Sequence, residues 1–277
     1  MSSLTRHHVR IAGAGSPIVF AHGYGCDQNV WRGVAPAFEA SHRTVLFDVA
    51  GCGASEPSHY ERDRHATLHG HADDLIEICE AAGLEGVTFV GHSVSGTIGV
   101  LAAAKRPELF DSLVLVSPSP CYLNDGDYRG GFERADIDGL LETLEANHFA
   151  WARMMAPLIM GNAGRPALAA ELGDNFCRTD ARVARHFARV TFLADHRPDL
   201  PGVSVPSLVL QCADDALAAS SVGHYVADHL PRSTLVHLAA TGHCPHMSAP
   251  DELVAVLRSW LQRDGVEPGA PAEAVAA

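Results

Sequence analysis

No apolar stretch in this 277-residue sequence reaches the length of a bilayer span, so a helical integral membrane protein is not a tenable reading. Basic charge is scarce. Twenty Lys and Arg stand against 33 Asp and Glu, a formal net charge of −13. Nucleic acid and anionic membrane both require basic surface, so neither is an expected partner. The opening Met-Ser-Ser-Leu-Thr-Arg-His-His carries no apolar signal core, and a cytoplasmic protein is the expectation. No Cys-x-x-Cys occurs. The seven cysteines, Cys26, Cys52, Cys79, Cys121, Cys177, Cys212 and Cys244, are odd in number and show no pairing framework, so reduced thiols are expected. His69 and His71 form a His-x-His. No acidic or cysteine cluster accompanies it at a recognised metal spacing, so no metal is expected.

What is present is a chain long enough for one large α/β domain, or for a core with an insertion. Short apolar runs recur at Val9–Ala12, Pro17–Ala21, Thr44–Asp48, Val87–Val90, Leu113–Val116, Ser207–Cys212 and Thr234–Leu238. Most are apolar on both faces, as buried parallel strands are. Helical patterns lie between them. One begins at Asp73-Asp74-Leu75 and ends at Gly83; another runs from Val94 to Arg106, before Pro107. Such alternation specifies a mostly parallel sheet covered on both faces. It fails between about residues 122 and 197, where only helical patterns occur. These are Ile137, Leu140, Leu141 and Leu144; then Trp151, Met154, Met155 and Leu158; then Leu168, Leu172 and Phe176; and last Val183, Phe187 and Val190. A helical block placed there is expected to cap the carboxyl edge of the sheet, where open α/β sheets bind ligands. The stretch 264–277, rich in Ala, Pro, Gly and Glu, is expected to be a disordered tail.

Gly-His-Ser-Val-Ser-Gly, residues 91–96, follows the run Val87–Val90 and opens the next helical pattern. That is the setting of the nucleophile elbow, whose usual form is Gly-x-Ser-x-Gly. Ser95 takes the place of the second glycine; it is small enough to be tolerated. A lone serine in a glycine-rich turn is more often structural than catalytic, so Ser93 needs partners. A hydroxyl nucleophile requires a base, and the base an orienting acid, in the order Ser, acid, His. His243 follows Gly242 directly after the last apolar run, and is preferred to His246, which lies further on. The acid should end the preceding strand, where Asp214-Asp215 stands; spacing does not choose between the two. For the oxyanion, the backbone N–H of Val94 and that of Tyr24, in His22-Gly23-Tyr24-Gly25, are the candidate donors.

Several longer stretches carry a resemblance: His22 to Trp31, Leu46-Phe47-Asp48, Phe89 to Ser95, Ser117 to Asn124, Gly130 to Glu133, Ala194 to Arg197, Leu210 to Asp215 and Gly242 to Met247. Together they resemble the α/β-hydrolase superfamily, and within it the group of the bacterial stress regulator RsbQ and the plant strigolactone and karrikin receptors. The resemblance spans about residues 10 to 262. It implies an α/β-hydrolase core over 1–121 and 197–263, with a four-helix lid over 122–196 above a mostly apolar pocket. It implies that Ser95 is a family variant of the elbow and that Asp215 is the acid. The family pattern has a proline four residues after that acid. Ala219 stands there instead, which leads one to expect a looser loop. Tyr24, Tyr122, Trp151 and Phe192 become the implied pocket walls. The implied activity is hydrolysis of a small apolar ester, lactone or butenolide through an acyl-enzyme, with no cofactor and no metal. The alternative is an RsbQ-like signalling role, in which the protein binds or supplies a small hydrophobic molecule and acts with a partner phosphatase. A third reading is a cofactor-free haloperoxidase or C–C bond hydrolase on the same scaffold, because fold does not fix chemistry.

Overall fold

The computed structural model describes residues 2–263. The expected tail at 264–277 lies outside the described residues. Seven strands form one sheet: β1 (Arg10–Ala12), β2 (Pro17–Ala21), β3 (Arg43–Phe47), β4 (Val87–His92), β5 (Phe110–Val116), β6 (Ser207–Ala213) and β7 (Ser233–Thr241). Their order is β1-β3-β2-β4-β5-β6-β7, with β1 antiparallel to β3 and all other pairs parallel. Every residue of β4 is buried, as expected of a central parallel strand with helices on both faces. Side chains alternate between two cores. Phe20, Val90 and Val116 belong to one, and Val19, Phe89 and Leu115 to the other, the period-2 signature of a sheet covered on both sides.

The helices are α1 (Ser3–Arg6), α2 (Leu68–Ala81), α3 (Val94–Lys105), α4 (Arg134–Ala146), α5 (His148–Met160), α6 (Pro166–Arg178), α7 (Ala181–Phe192), α8 (Ser220–His229), α9 (Pro245–Ser248) and α10 (Pro250–Leu261). Among the described residues no helix is long and apolar enough to cross a membrane.

Two expectations need correction. α2 starts at Leu68, a turn before Asp73, because Leu68 and Ala72 continue the buried face of Leu75, Ile76 and Cys79. Its end is where the sequence puts it. Gly83 adopts φ +59, its N–H bonds the Glu80 carbonyl, and the Leu84 N–H bonds that of Cys79, the paired bonds of a Schellman motif. On α5, Trp151 and Met155 are buried, but Met154 and Leu158 are 50% and 59% exposed. The inward face is Trp151, Ala152, Met155, Ala156 and Ile159, and this helix carries more apolar residues than that face can use.

Helices α4–α7 fill the stretch between β5 and β6. Its two ends meet: Cys121 bridges Asp195, and the His196 N–H donates to the Pro120 carbonyl at 2.8 Å. Trp151, Phe176 and Phe192 from this block share one core with Val90 and Val116 of the sheet. The segment is therefore packed onto the carboxyl ends of the central strands rather than hanging free.

Candidate active site

β4 ends at His92, and the chain turns at Ser93 into α3. Ser93 sits at φ +55, ψ −122, a conformation that costs a non-glycine residue roughly 1–3 kcal/mol and is held by its surroundings. Its N–H donates to the Val116 carbonyl on β5, and its own carbonyl accepts from the Gly96 N–H, both at 2.8 Å. Gly91 has to be glycine, since a Cβ there would lie 2.5 Å from the Ser95 carbonyl oxygen. Ser95 is fully buried, and its hydroxyl donates to the His22 carbonyl. The hydroxyl that replaces the usual glycine hydrogen thus ties the elbow to the His22-Gly23-Tyr24-Gly25 loop.

His243 lies in the loop after β7. Its N–H donates to the Ile159 carbonyl at the end of α5, so the inserted helices help hold it. His243 Nε2 is 2.8 Å from Ser93 Oγ. Its Nδ1 is 2.8 Å from Asp215 Oδ2 and 3.0 Å from Oδ1. A carboxylate can only accept, so Nδ1 carries the proton and Nε2 is left to accept from the Ser93 hydroxyl. The Asp215 side chain is fully shielded from solvent. Burial alone would raise its pKa. The His243 charge and hydrogen bond, with the N–H groups of Ala218 and Leu217, outweigh burial and hold it below its ordinary value.

The structure also separates the rivals. Asp214 is exposed at φ +51, a turn residue, while Asp215 points inward and accepts from Leu217 and Ala218 at 2.9 and 3.0 Å. The loop is well tied without the proline: Ala219 already adopts φ −58, the angle a proline would impose. His246 does not reach Ser93. It packs 4.7 Å from the Trp31 ring and 4.4 Å from His92, with neither ring nitrogen hydrogen-bonded. Burial, with lesser help from His243 and His22, pushes its pKa down to about 3, so it is a neutral packing residue.

A Cβ on Gly23 would fall 2.5 Å from His92 Nδ1 and 3.4 Å from Ser93 Cβ, so this loop lies directly over the elbow. Among the described residues, the N–H groups of Tyr24 and Val94 have no protein acceptor. The first N–H of a helix is free for just such a role. Tyr24, Tyr122, Trp151 and Phe192 all line one cavity with Ser93 and His243. Tyr24 is fixed by its hydroxyl, which donates to the Ala184 carbonyl at 2.8 Å, and by an edge-on contact with Trp151 at 5.9 Å. The Tyr122 hydroxyl is 3.5 Å from Ser93 Oγ, and burial pushes its pKa up to about 12, so it stays a neutral phenol.

Sequence reasoning missed several members of this site. Cys26, Ile159, Leu172, Phe176, Thr191, Leu217 and Cys244 also line the cavity. His92, next to Ser93 in the elbow motif, donates from Nε2 to the His243 carbonyl at 2.8 Å. Its place in the motif is the only signal the sequence offered. Burial pushes the Cys26 and Cys244 thiols up, so neither is a thiolate, and all seven cysteines are free.

A strand–elbow–helix serine under an inserted helical block defines a class, and comparison with known proteins agrees. The α/β hydrolase fold family matches residues 16–250. The chain is 39% identical over 258 residues to the strigolactone esterase D14 of Arabidopsis thaliana, covering 92% of this chain and 96% of the relative. It is 38% identical over 260 residues to the karrikin insensitive 2 receptor CA of Petunia hybrida, covering 93% and 96%. Among solved structures it is similar to olei00960, a hydrolase from Oleispira antarctica, with 38% identity, a TM-score of 0.92, and 95% and 97% of the two chains covered. The chain belongs to the α/β-hydrolase family, in its strigolactone- and karrikin-receptor-like subgroup.

Proposed function

We propose that this protein is a serine hydrolase that cleaves a small apolar ester, lactone or butenolide. One observation carries the reading: Ser93 Oγ, His243 and Asp215 form an unbroken chain of 2.8 Å contacts at the floor of an apolar cavity. The names of the relatives, a strigolactone esterase and a karrikin receptor, favour a substrate of this kind. In the proposed reaction the Ser93 hydroxyl gives its proton to His243 Nε2 as Oγ attacks the carbonyl carbon. The carbonyl π pair moves onto oxygen, and the oxyanion is held by the Tyr24 and Val94 N–H groups. Each such donor is typically worth about 10²–10³ in rate. The tetrahedral centre collapses, the C–O bond breaks, and His243 protonates the leaving oxygen. A water then gives a proton to His243, attacks the acyl-serine, and the acid is released as Oγ takes its proton back. Asp215 keeps the imidazole in the tautomer that both half-reactions need. Tyr24, Tyr122, Trp151 and Phe192 select for apolar ligands by excluding water from that centre. Helices α4–α7 serve as the lid.

The experiment is hydrolysis of p-nitrophenyl acetate by wild type and Ser93→Ala, with intact-mass detection of a bound synthetic butenolide alongside. The expected result is a fall of roughly 10³ or more in kcat/KM for the variant. Equal rates would overturn the assignment. The 38% identity to a protein named as a receptor favours a second reading, in which ligand binding rather than turnover is the output and a protein partner reads it. A wild type that binds the butenolide but is as inactive as Ser93→Ala would select that reading.

A further inference from the structure

A second set of histidines gathers around Asp74 of α2, apart from Ser93. His65, His71 and Asp74 offer ligand atoms that all lie within 4.8 Å of one another. His65 is 1% exposed, His71 3% and Asp74 5%, so bulk solvent does not reach them. His7, also buried, brings Nε2 to 3.9 Å from Asp74 Oδ2.

The hydrogen bonds fix which atoms face inward. His7 Nδ1 meets the Asp48 carbonyl at 3.1 Å, and His65 Nδ1 meets the Glu61 carbonyl at 2.9 Å. A carbonyl can only accept, so both Nδ1 atoms carry protons, and in the neutral imidazoles both Nε2 lone pairs turn towards Asp74. Such a carbonyl behind the ring is the usual support of a metal-binding histidine. Asp74 is likewise oriented from behind: Arg64 takes Oδ1, leaving Oδ2 to face His65 Nε2 at 2.8 Å. His71, one turn before Asp74 on α2, has no hydrogen-bond partner on either ring nitrogen. Buried polar atoms are rarely left so. A proton between His65 and Asp74 would settle that pair but leave His71 orphaned. A cation at the centre satisfies all of them.

We propose that His65 Nε2, Asp74 Oδ2 and a ring nitrogen of His71, with His7 Nε2 as the fourth ligand, form a structural divalent-metal site that takes zinc. Three imidazoles and one carboxylate are a zinc-type donor set, and bonds of about 2.0 Å make a tetrahedron whose edges are about 3.3 Å. The two nitrogen-to-Oδ2 distances, 2.8 and 3.9 Å, fall either side of that edge. With four protein ligands no position is left open for catalysis. The metal instead staples the segment holding His7 and the loop holding His65 to α2. Nothing in the sequence marks His71 as a ligand, because two of its partners come from outside the helix. Exposed His69 belongs to a separate potential metal-binding cluster with His196 and Asp199, so its replacement tells the two clusters apart.

The test uses the full chain, stripped with a chelator and titrated with Zn²⁺ alone. One zinc per chain is expected to bind and to raise the thermal midpoint. X-ray absorption at the zinc edge should show only nitrogen and oxygen in the inner shell, with outer scattering from imidazole rings. His71→Phe should weaken zinc binding by about 10²-fold or more, since even partners behind the ligands are worth 10–100-fold, and remove the thermal gain. His69→Ala should change neither, and both variants should keep wild-type esterase rates. The proposal is overturned if the wild type takes up no zinc. It is equally overturned if His71→Phe binds as wild type does, or if binding is lost with His69→Ala. Should His71→Phe fail to fold, the absorption spectrum of the wild type decides alone: sulfur in the inner shell, or no imidazole scattering, rejects the site.

Discussion

His243 and His65 each meet an aspartate oxygen at 2.8 Å in a buried setting, yet only His243 also meets a serine hydroxyl. The difference lies in which nitrogen faces the acid. His243 gives Nδ1 to Asp215, so Nε2 is free to meet Ser93. His65 spends Nδ1 on the Glu61 carbonyl and turns Nε2 to Asp74, and no hydroxyl is hydrogen-bonded to either nitrogen. A histidine–aspartate pair is therefore a base only when the backbone leaves its second nitrogen open. The elbow supplies what the other pair lacks, a serine held at positive φ against an apolar cavity.

Replacing each acid by its amide breaks the comparison most sharply. Asp215→Asn should lower kcat by about 10³–10⁴ while the fold survives, because the amide no longer holds the imidazole in the working tautomer. Asp74→Asn should leave the rate per folded molecule within a few-fold. It should lower stability, because the amide loses its charge towards Arg64 and its acceptor oxygen towards His65. Paired kinetics and urea unfolding on both variants would check this; a stability loss without a rate loss at Asp215 would invert the account.

Histidines with no acid at all sharpen the contrast next. Burial, then the neighbouring histidines, keeps His92 well below its ordinary pKa and His246 at about 3. Their folded values lie below the unfolded value of about 6.5, so the native state refuses protons that the unfolded chain accepts. Their contribution is complete above about pH 6.5. It is lost as pH falls from there, for His246 towards about 3, at up to ~1.4 kcal/mol per pH unit for each group. Urea midpoints at about pH 7.5 and about pH 5.5 should fall in acid, and less so in His246→Gln. A midpoint that holds or rises at the lower pH would show that the two rings are not buried neutral.

The smallest expected effect concerns the loop that carries the acid. Ala219 already has a proline-like φ of −58, so Ala219→Pro should stabilise the protein by about 0.5–1 kcal/mol without altering kcat. Thermal unfolding would read the gain, and a loss would mean that the loop around Asp215 relies on freedom at this residue.

Much of the architecture was legible because it is local. The apolar runs locate all seven strands, and the expected run Val87–Val90 falls inside β4 with the serine turn at its end. The wall residues Tyr24, Tyr122, Trp151 and Phe192 meet at one cavity, but their mutual placement depends on four inserted helices that periodicity cannot orient. The outward turn of Met154 and Leu158 shows the same limit, since an apolar stripe broader than the buried face looks identical in sequence. Asp214 and Asp215 could not be separated by spacing. The register shift at Cys212 and Ala213 and the positive φ of Asp214 decide which carboxylate turns inward. The cluster around Asp74 was invisible, because His7 and His65 reach it only through the tertiary fold.

The central claim is that Ser93, activated by His243 and Asp215, is the group that attacks. The most direct measurement is reaction with a fluorophosphonate, followed by intact mass and peptide mapping. One covalent phosphonyl group per chain is expected, on Ser93, absent from Ser93→Ala and strongly slowed in Asp215→Asn. No adduct on the wild type, or an adduct that persists on another residue in Ser93→Ala, would contradict it.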